Sequence, residues 1–283
     1  MRFPWFPVGL PVVSSARSAL LGLALLLGLT SATAVQAGIQ TKEISYEHEG
    51  EPLKGFLAWD DSLTGNRPGI LVVHEWWGLN DYARTRAKQL AELGYVAFAL
   101  DMFGEGKVTE HATQAMEWSG TVRSNTQKWR DRALSGLNVL KKQPGVDQDN
   151  LAAIGYCFGG STVLHLAYAD APVKGVVSFH GALPPPPVDA SLKTKVLVCQ
   201  GGADSFVPAA TVDAFAFGME QAKAHYTIVV FGGAKHGFSN PDAARYGIDG
   251  IAYDPSAEKH SWAIMQMFFD DIFDKPAPKA VKQ

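Results

Sequence analysis

One turn constrains this chain more than any other stretch. Gly155-Tyr156-Cys157-Phe158-Gly159-Gly160 follows an apolar run, Leu151 to Ile154, and leads into a helix-like segment, roughly Ser161 to Ala169. A strand that turns sharply into a helix through Gly-x-Cys-x-Gly leaves no room for side chains on either flank, and glycine fits both flanking positions. The turn holds the central residue up at the carboxyl end of its strand, the frame known as a nucleophile elbow, here with a thiol in place of the more usual hydroxyl. The helix N-terminus beneath it favours negative charge and hence a thiolate. The same pattern also suits a buried structural cysteine beside a glycine-rich helix start, so its meaning depends on what the rest of the chain brings to it.

The remainder reads as strands alternating with helices. Glu43–His48 and Leu53–Trp59 alternate like a short antiparallel pair, joined across His48 to Pro52. Gly69–His74, Tyr95–Leu100, Leu151–Ile154, Val173–Phe179, Lys195–Gln200 and His225–Phe231 read as buried strands. Between them lie a helix capped by Asn80 and running to about Leu93, a helical region from about Thr109 to Lys142 broken near Gly120 or Ser124, a helix over Ala209–Ala222 and a last one over Ser256–Phe273. Pro184–Pro187 reads as a stiff surface loop, and Lys275–Gln283 as a frayed end. This alternation predicts an α/β fold: a mostly parallel central sheet with helices on both faces. No repeat or linker divides it, so residues 38–283 read as one domain. Ligands of such sheets bind at the carboxyl ends of the strands, and Glu75, Cys157, His180, Asp204 and His236 all fall just past a strand.

The first residues differ in kind. Arg2 and Arg17 are the only charges before Lys42, an apolar core of eleven residues runs from Ala19 to Leu29, and small residues end at Val35-Gln36-Ala37. This predicts a signal peptide over residues 1–37, cleaved after Ala37. The core is too short for a spanning helix, which needs about 20 residues, so no membrane anchor is expected after cleavage. The mature protein is expected to be secreted, to the periplasm. Net charge is −3 with no basic stripe, which points away from nucleic acid. A small-molecule substrate and a monomer are the expectations, an oligomer being the open alternative. Of the two cysteines, Cys199 sits inside the apolar run Val196–Cys199, and both are read as free thiols.

A thiol nucleophile needs a base, and the base an orienting acid. The chain offers them in the order Cys157, Asp204, His236, each just past a strand; nucleophile, acid, histidine is the order of the α/β-hydrolase fold. Taken singly, Asp204 is also a plain turn residue and His236 a plain loop histidine. His74-Glu75 opens a zinc motif only if a histidine follows at position 78, which is Gly78. There is no C-x-x-C, and neither a metal nor a cofactor is expected.

Four motifs together make the chain resemble the dienelactone hydrolase (carboxymethylenebutenolidase) family. They are His74-Glu75-Trp76-Trp77-Gly78-Leu79, Gly155-Tyr156-Cys157-Phe158-Gly159-Gly160, Gly201-Gly202-Ala203-Asp204-Ser205-Phe206-Val207-Pro208 and His236-Gly237-Phe238. The likeness runs from about residue 40 to 273. It implies an α/β-hydrolase fold, a Cys157–Asp204–His236 triad, and a Glu75 that touches the thiol and helps deprotonate it. Beside that role, Glu75 also suits a plain contact in the loop before the Asn80 helix. The oxyanion of ester attack needs two backbone N–H donors: Phe158, after the nucleophile, and, by the resemblance, Trp76. Trp77, Phe103, Trp118 and Phe238, beside Trp76, are candidates to line an aromatic pocket, with core packing as the alternative. The resemblance also implies a carboxylate-binding arginine four positions past the histidine, where this chain has Asn240; Arg123, Arg130 and Arg245 are the candidates to replace it. His180 either reaches the pocket or makes a structural hydrogen bond.

The expected activity is thiol-dependent hydrolysis of a small ester or lactone through an acyl-thioester. A carboxylesterase or thioesterase of the same fold is the nearest alternative. A binding module that lost turnover, and a redox protein using Cys157 and Cys199, are the alternatives outside it.

Overall fold

A computed structural model describes residues 38–188 and 190–273. The expected signal peptide and the expected frayed end, Lys275–Gln283, lie outside the described residues. Strands β1 (Ile39–His48) and β2 (Glu51–Asp60) form the antiparallel pair. Their two-residue turn, Glu49-Gly50, has both φ angles positive, at 51° and 79°, as a tight hairpin matched to strand twist requires. The pair is longer than the sequence alternation suggested.

The other strands are β3 (Arg67–Val73), β4 (Val96–Ala99), β5 (Val146–Tyr156), β6 (Gly175–Phe179), β7 (Lys195–Gly201) and β8 (Tyr226–Phe231). The sheet order is β1-β2-β4-β3-β5-β6-β7-β8. Only β1–β2 and β2–β4 pair antiparallel; the rest is parallel. β5 begins at Val146, earlier than its apolar run, and its register against β3 shifts between Pro68 and Gly69. The polar stretch Asp147–Asn150 that fills this irregularity has no strand signature in sequence.

Among the described residues six α-helices cover the two faces of the sheet: α1 (Asp81–Glu92), α2 (Ala112–Arg123), α3 (Thr126–Lys141), α4 (Phe158–Tyr168), α5 (Ala209–Gln221) and α6 (Pro255–Ile272). Successive strand side chains point to opposite faces. Leu71 and Val73 of β3 accordingly join Trp129 and Leu137 of α3 and Phe215 of α5, whereas Ile70 and Val72 join Leu90 of α1 and Phe269 of α6. Burial on both faces is why the parallel strands read as unbroken apolar runs.

Local signals place the helix ends. The Asn80 side chain accepts from the Ala83 N–H and that of Asn125 from the Lys128 N–H. The second cap fixes the break between α2 and α3 at Ser124-Asn125. Asp254 caps α6 by accepting from the Ser256 and Ala257 N–H groups, with Pro255 in the first turn, where its missing donor costs nothing. α4 starts at Phe158, directly after the turn, rather than at Ser161. Among the described residues no helix is long and apolar enough to cross a membrane.

Candidate active site

The turn at Cys157 is as tight as its glycines imply. Cys157 has φ +52° and ψ −112°, a left-handed conformation that costs a side-chain-bearing residue roughly 1–3 kcal/mol. A Cβ on Gly155 would lie 2.0 Å from the Gly159 carbonyl oxygen, and one on Gly159 would lie 2.2 Å from that of Val73. Both clashes are with backbone. The Cys157 N–H donates to the Phe179 carbonyl at 3.0 Å, tying the turn to β6. The side chain of Cys157 is half-exposed; Cys199 is buried in β7, and neither is in a disulfide. Burial pushes the Cys199 thiol up, so it stays neutral.

His236 follows β8, and its Nδ1–H donates to Asp204 Oδ2 at 2.8 Å. The ring also interacts electrostatically with the Cys157 side chain, with which it shares the cavity wall. Burial works against a charged imidazole here. The interaction with Cys157 and the hydrogen bond to Asp204 more than offset it, and the pKa is pushed up to about 10. Asp204 is itself fixed: Oδ2 also accepts from Gln200 Nε2 at 2.8 Å, and Oδ1 from the Phe206 and Val207 N–H groups at 2.9 and 3.2 Å. Such a carboxylate has no freedom to turn away from the ring.

Glu75 is buried, and its Oε2 accepts from Asn240 Nδ2 at 2.7 Å. Where the resemblance implied a contact with the thiol, the hydrogen bond Glu75 makes is to Asn240. Burial raises its pKa to about 7 against the pull of Asn240, His236 and Arg86. The loop carrying Glu75 is held by His74, whose Nε2 accepts from the Met102 N–H at 3.2 Å while Nδ1 faces the Glu75 carbonyl. Burial lowers the His74 pKa and keeps that ring neutral.

A cavity of about 480 Å3 opens over Cys157 and His236. Trp76 and Phe158, the expected oxyanion donors, both line it, with Met116, Phe206, Val207, Ile248 and Ile251. Two larger cavities, about 550 and 740 Å3, contain neither Cys157, Asp204 nor His236, so chemistry rather than size marks the site. The four aromatic candidates for its wall lie elsewhere, which corrects that expectation. Trp77 is buried and stacked on Tyr246, with ring centroids 3.8 Å apart. Phe103 packs on His74 and Phe158 and, with Trp118, borders the 550 Å3 cavity. Phe238 is fully buried between His180 and Phe231. Of the candidate arginines, Arg123 alone is on the wall.

His180 makes the structural hydrogen bond: its Nε2 meets Ser239 Oγ at 2.7 Å, and its ring lies edge-on to His236 at 5.2 Å. Burial first, then the charge of His236, holds its pKa well down. Ser239 Oγ also meets the Tyr82 hydroxyl at 2.7 Å, and the Ser239 carbonyl accepts from Arg86 Nη2 at 2.7 Å. Arg86 is buried and paired with Glu258 at 2.9 Å. Sequence reasoning missed this clamp on the loop after His236. Its one trace is Arg86 itself, an arginine on the same helical face as Ala83, Ala87 and Leu90, where a charge needs a partner.

The family model of the dienelactone hydrolase family matches residues 53–273. The crystal structure of a dienelactone hydrolase-like promiscuous phosphotriesterase from metagenomic libraries is 36% identical, covers 83% of this chain and 99% of its own, and superposes with a TM-score of 0.81. A Yersinia pestis protein provisionally named a carboxymethylenebutenolidase is 27% identical over 71% of this chain and 80% of its own. An esterase from Thermogutta terrifontis, at 18% identity, 85% and 95% coverage and a TM-score of 0.62, shares the fold. The chain has the α/β-hydrolase fold, belongs to the dienelactone hydrolase family and is a hydrolase.

Proposed function

We propose that the chain cleaves a small ester or lactone by thiol catalysis, with Cys157 as nucleophile, His236 as base and acid, and Asp204 as the group that orients the ring. The relatives' names support an ester or lactone as substrate. The observation that carries the thiol reading is that Cys157 and His236 line the 480 Å3 cavity together, with Asp204 Oδ2 2.8 Å from the ring Nδ1.

His236 takes the thiol proton, the Cys157 sulfur bonds to the carbonyl carbon, and negative charge moves to the carbonyl oxygen. The backbone N–H groups of Phe158 and Trp76 meet that charge; losing one such donor costs about 3 kcal/mol of barrier. The carbon–oxygen bond of the ester then breaks, His236 protonates the leaving oxygen, and a thioester remains. Water adds to the thioester as His236 takes its proton, the carboxylic acid leaves, and the thiol is restored. Burial raises the Glu75 pKa to about 7, so near neutral pH part of the population carries it protonated, which limits the negative charge within reach of His236, and in the ionised part it is a local proton acceptor.

Turnover of p-nitrophenyl acetate by the wild type and its loss in Cys157→Ala is the expected result. Turnover that survives the substitution removes sulfur from the mechanism. Paraoxon, a phosphotriester, is a second electrophile to test, on the strength of the relative named for that activity. We further propose that residues 1–37 are a leader removed on export to the periplasm. The exported protein should then start at Gly38 by mass spectrometry, and a retained Met1 would overturn this.

A further inference from the structure

We infer that the cavity over Cys157 takes esters whose acyl part is uncharged and apolar, and selects against an acyl chain that ends in a carboxylate. This deepens the thiol-hydrolase reading and rests on it. Three observations carry it.

First, the wall is apolar, formed chiefly by Trp76, Met116, Phe206, Val207, Ile248 and Ile251. Met116 and Phe206 are 60% and 54% exposed, so two large apolar groups stand uncovered at a cavity with a nucleophile in it. Exposed apolar surface gathered at a concave site marks where an apolar ligand is covered.

Second, Asn240 brings no positive charge and is not on the cavity wall. It is buried, its Nδ2 is committed to Glu75 at 2.7 Å, and its Oδ1 accepts from the Asp242 N–H at 2.9 Å. The nearby buried cation, Arg86, is committed to Glu258 and the Ser239 carbonyl. Glu75 lies within electrostatic reach of His236, so a second carboxylate there meets a like charge.

Third, Arg123, the one arginine on the wall, is exposed, and its Nε and Nη2 donate back to the carbonyl and hydroxyl of Ser119 at 3.2 and 3.0 Å. A carboxylate brought inside would lose its water without a buried partner.

The test compares two substrates that differ only in a methyl group: mono-p-nitrophenyl adipate, with a free distal carboxylate, and its methyl ester. Near neutral pH, kcat/KM is expected to be at least about ten-fold higher for the methyl ester. The ratio is expected to move by less than about two-fold in Arg123→Gln, because that guanidinium is not an anchor in this reading. Equal or faster hydrolysis of the acid overturns the inference and leaves thiol catalysis standing. So does an Arg123→Gln variant slowed on the acid alone. Absence of Cys157-dependent release from both esters overturns the thiol reading, and this inference with it.

Discussion

The side-chain amide of Asn240 donates to the buried carboxylate of Glu75 across 2.7 Å, joining segments 165 residues apart. The pair holds a carboxylate within electrostatic reach of His236 without adding a cation there.

Glu75 has its pKa raised to about 7 by burial, whereas in the unfolded chain it titrates near about 4.3. Between those values the folded protein binds more protons than the unfolded one, so stability falls as pH rises through this window. Glu75→Gln is expected to gain stability relative to the wild type from about pH 4 to above pH 7, by on the order of 3 kcal/mol once ionisation is complete. Thermal melts of both proteins across that range check it; parallel pH profiles would refute it.

His236→Ala should lower kcat/KM on p-nitrophenyl esters by roughly 10^2- to 10^4-fold, the range for loss of a positioned proton carrier. Far-ultraviolet circular dichroism should be unchanged. Activity within a few-fold of the wild type would remove the ring from the mechanism.

Gly159→Ala places a methyl group 2.2 Å from the Val73 carbonyl oxygen. The obstacle is backbone, so either the turn or β3 must move. Destabilisation of about 3 kcal/mol or more is expected in urea unfolding. A change below 1 kcal/mol, with activity retained, would mean that the turn is far looser than its geometry implies.

Ser239→Ala removes the hydroxyl shared by Tyr82 and His180, leaving two buried groups without that partner. A stability loss of about 2 kcal/mol is expected. The loop carrying His236 loses a tether, so kcat should fall several-fold while KM changes little. Equal losses in kcat and in the amount of folded protein would reduce Ser239 to a structural role.

The order of elements was legible because each boundary is a local event. Asn80 caps α1 and Asn125 caps α3 through their own neighbours. The apolar runs of β3, β5 and β7 announce burial on both faces. The start of β5 is not legible because Asp147–Asn150 follows no periodic pattern. The wall of the cavity is not legible for a related reason. Trp77, Phe103, Trp118 and Phe238 have the right chemistry, but sequence does not say which side of a loop faces a cavity. Ile248 and Ile251 line it from a segment held to His236 by the Gly250 and Ala252 backbone, an arrangement with no sequence signature.

The sequence by itself determined the sharp turn at Cys157 and the placing of Asp204 and His236 just past strands. Glycine sterics and the alternation of strand and helix act over a few residues and are written in the residues themselves. Only the tertiary structure decided that Glu75 is held by Asn240, that Arg86, Tyr82 and His180 clamp Ser239, and that Phe238 is core rather than wall. Those partners lie up to 165 residues apart. Burial and pairing over such distances depend on how the whole sheet and its helices close together, which no local pattern encodes.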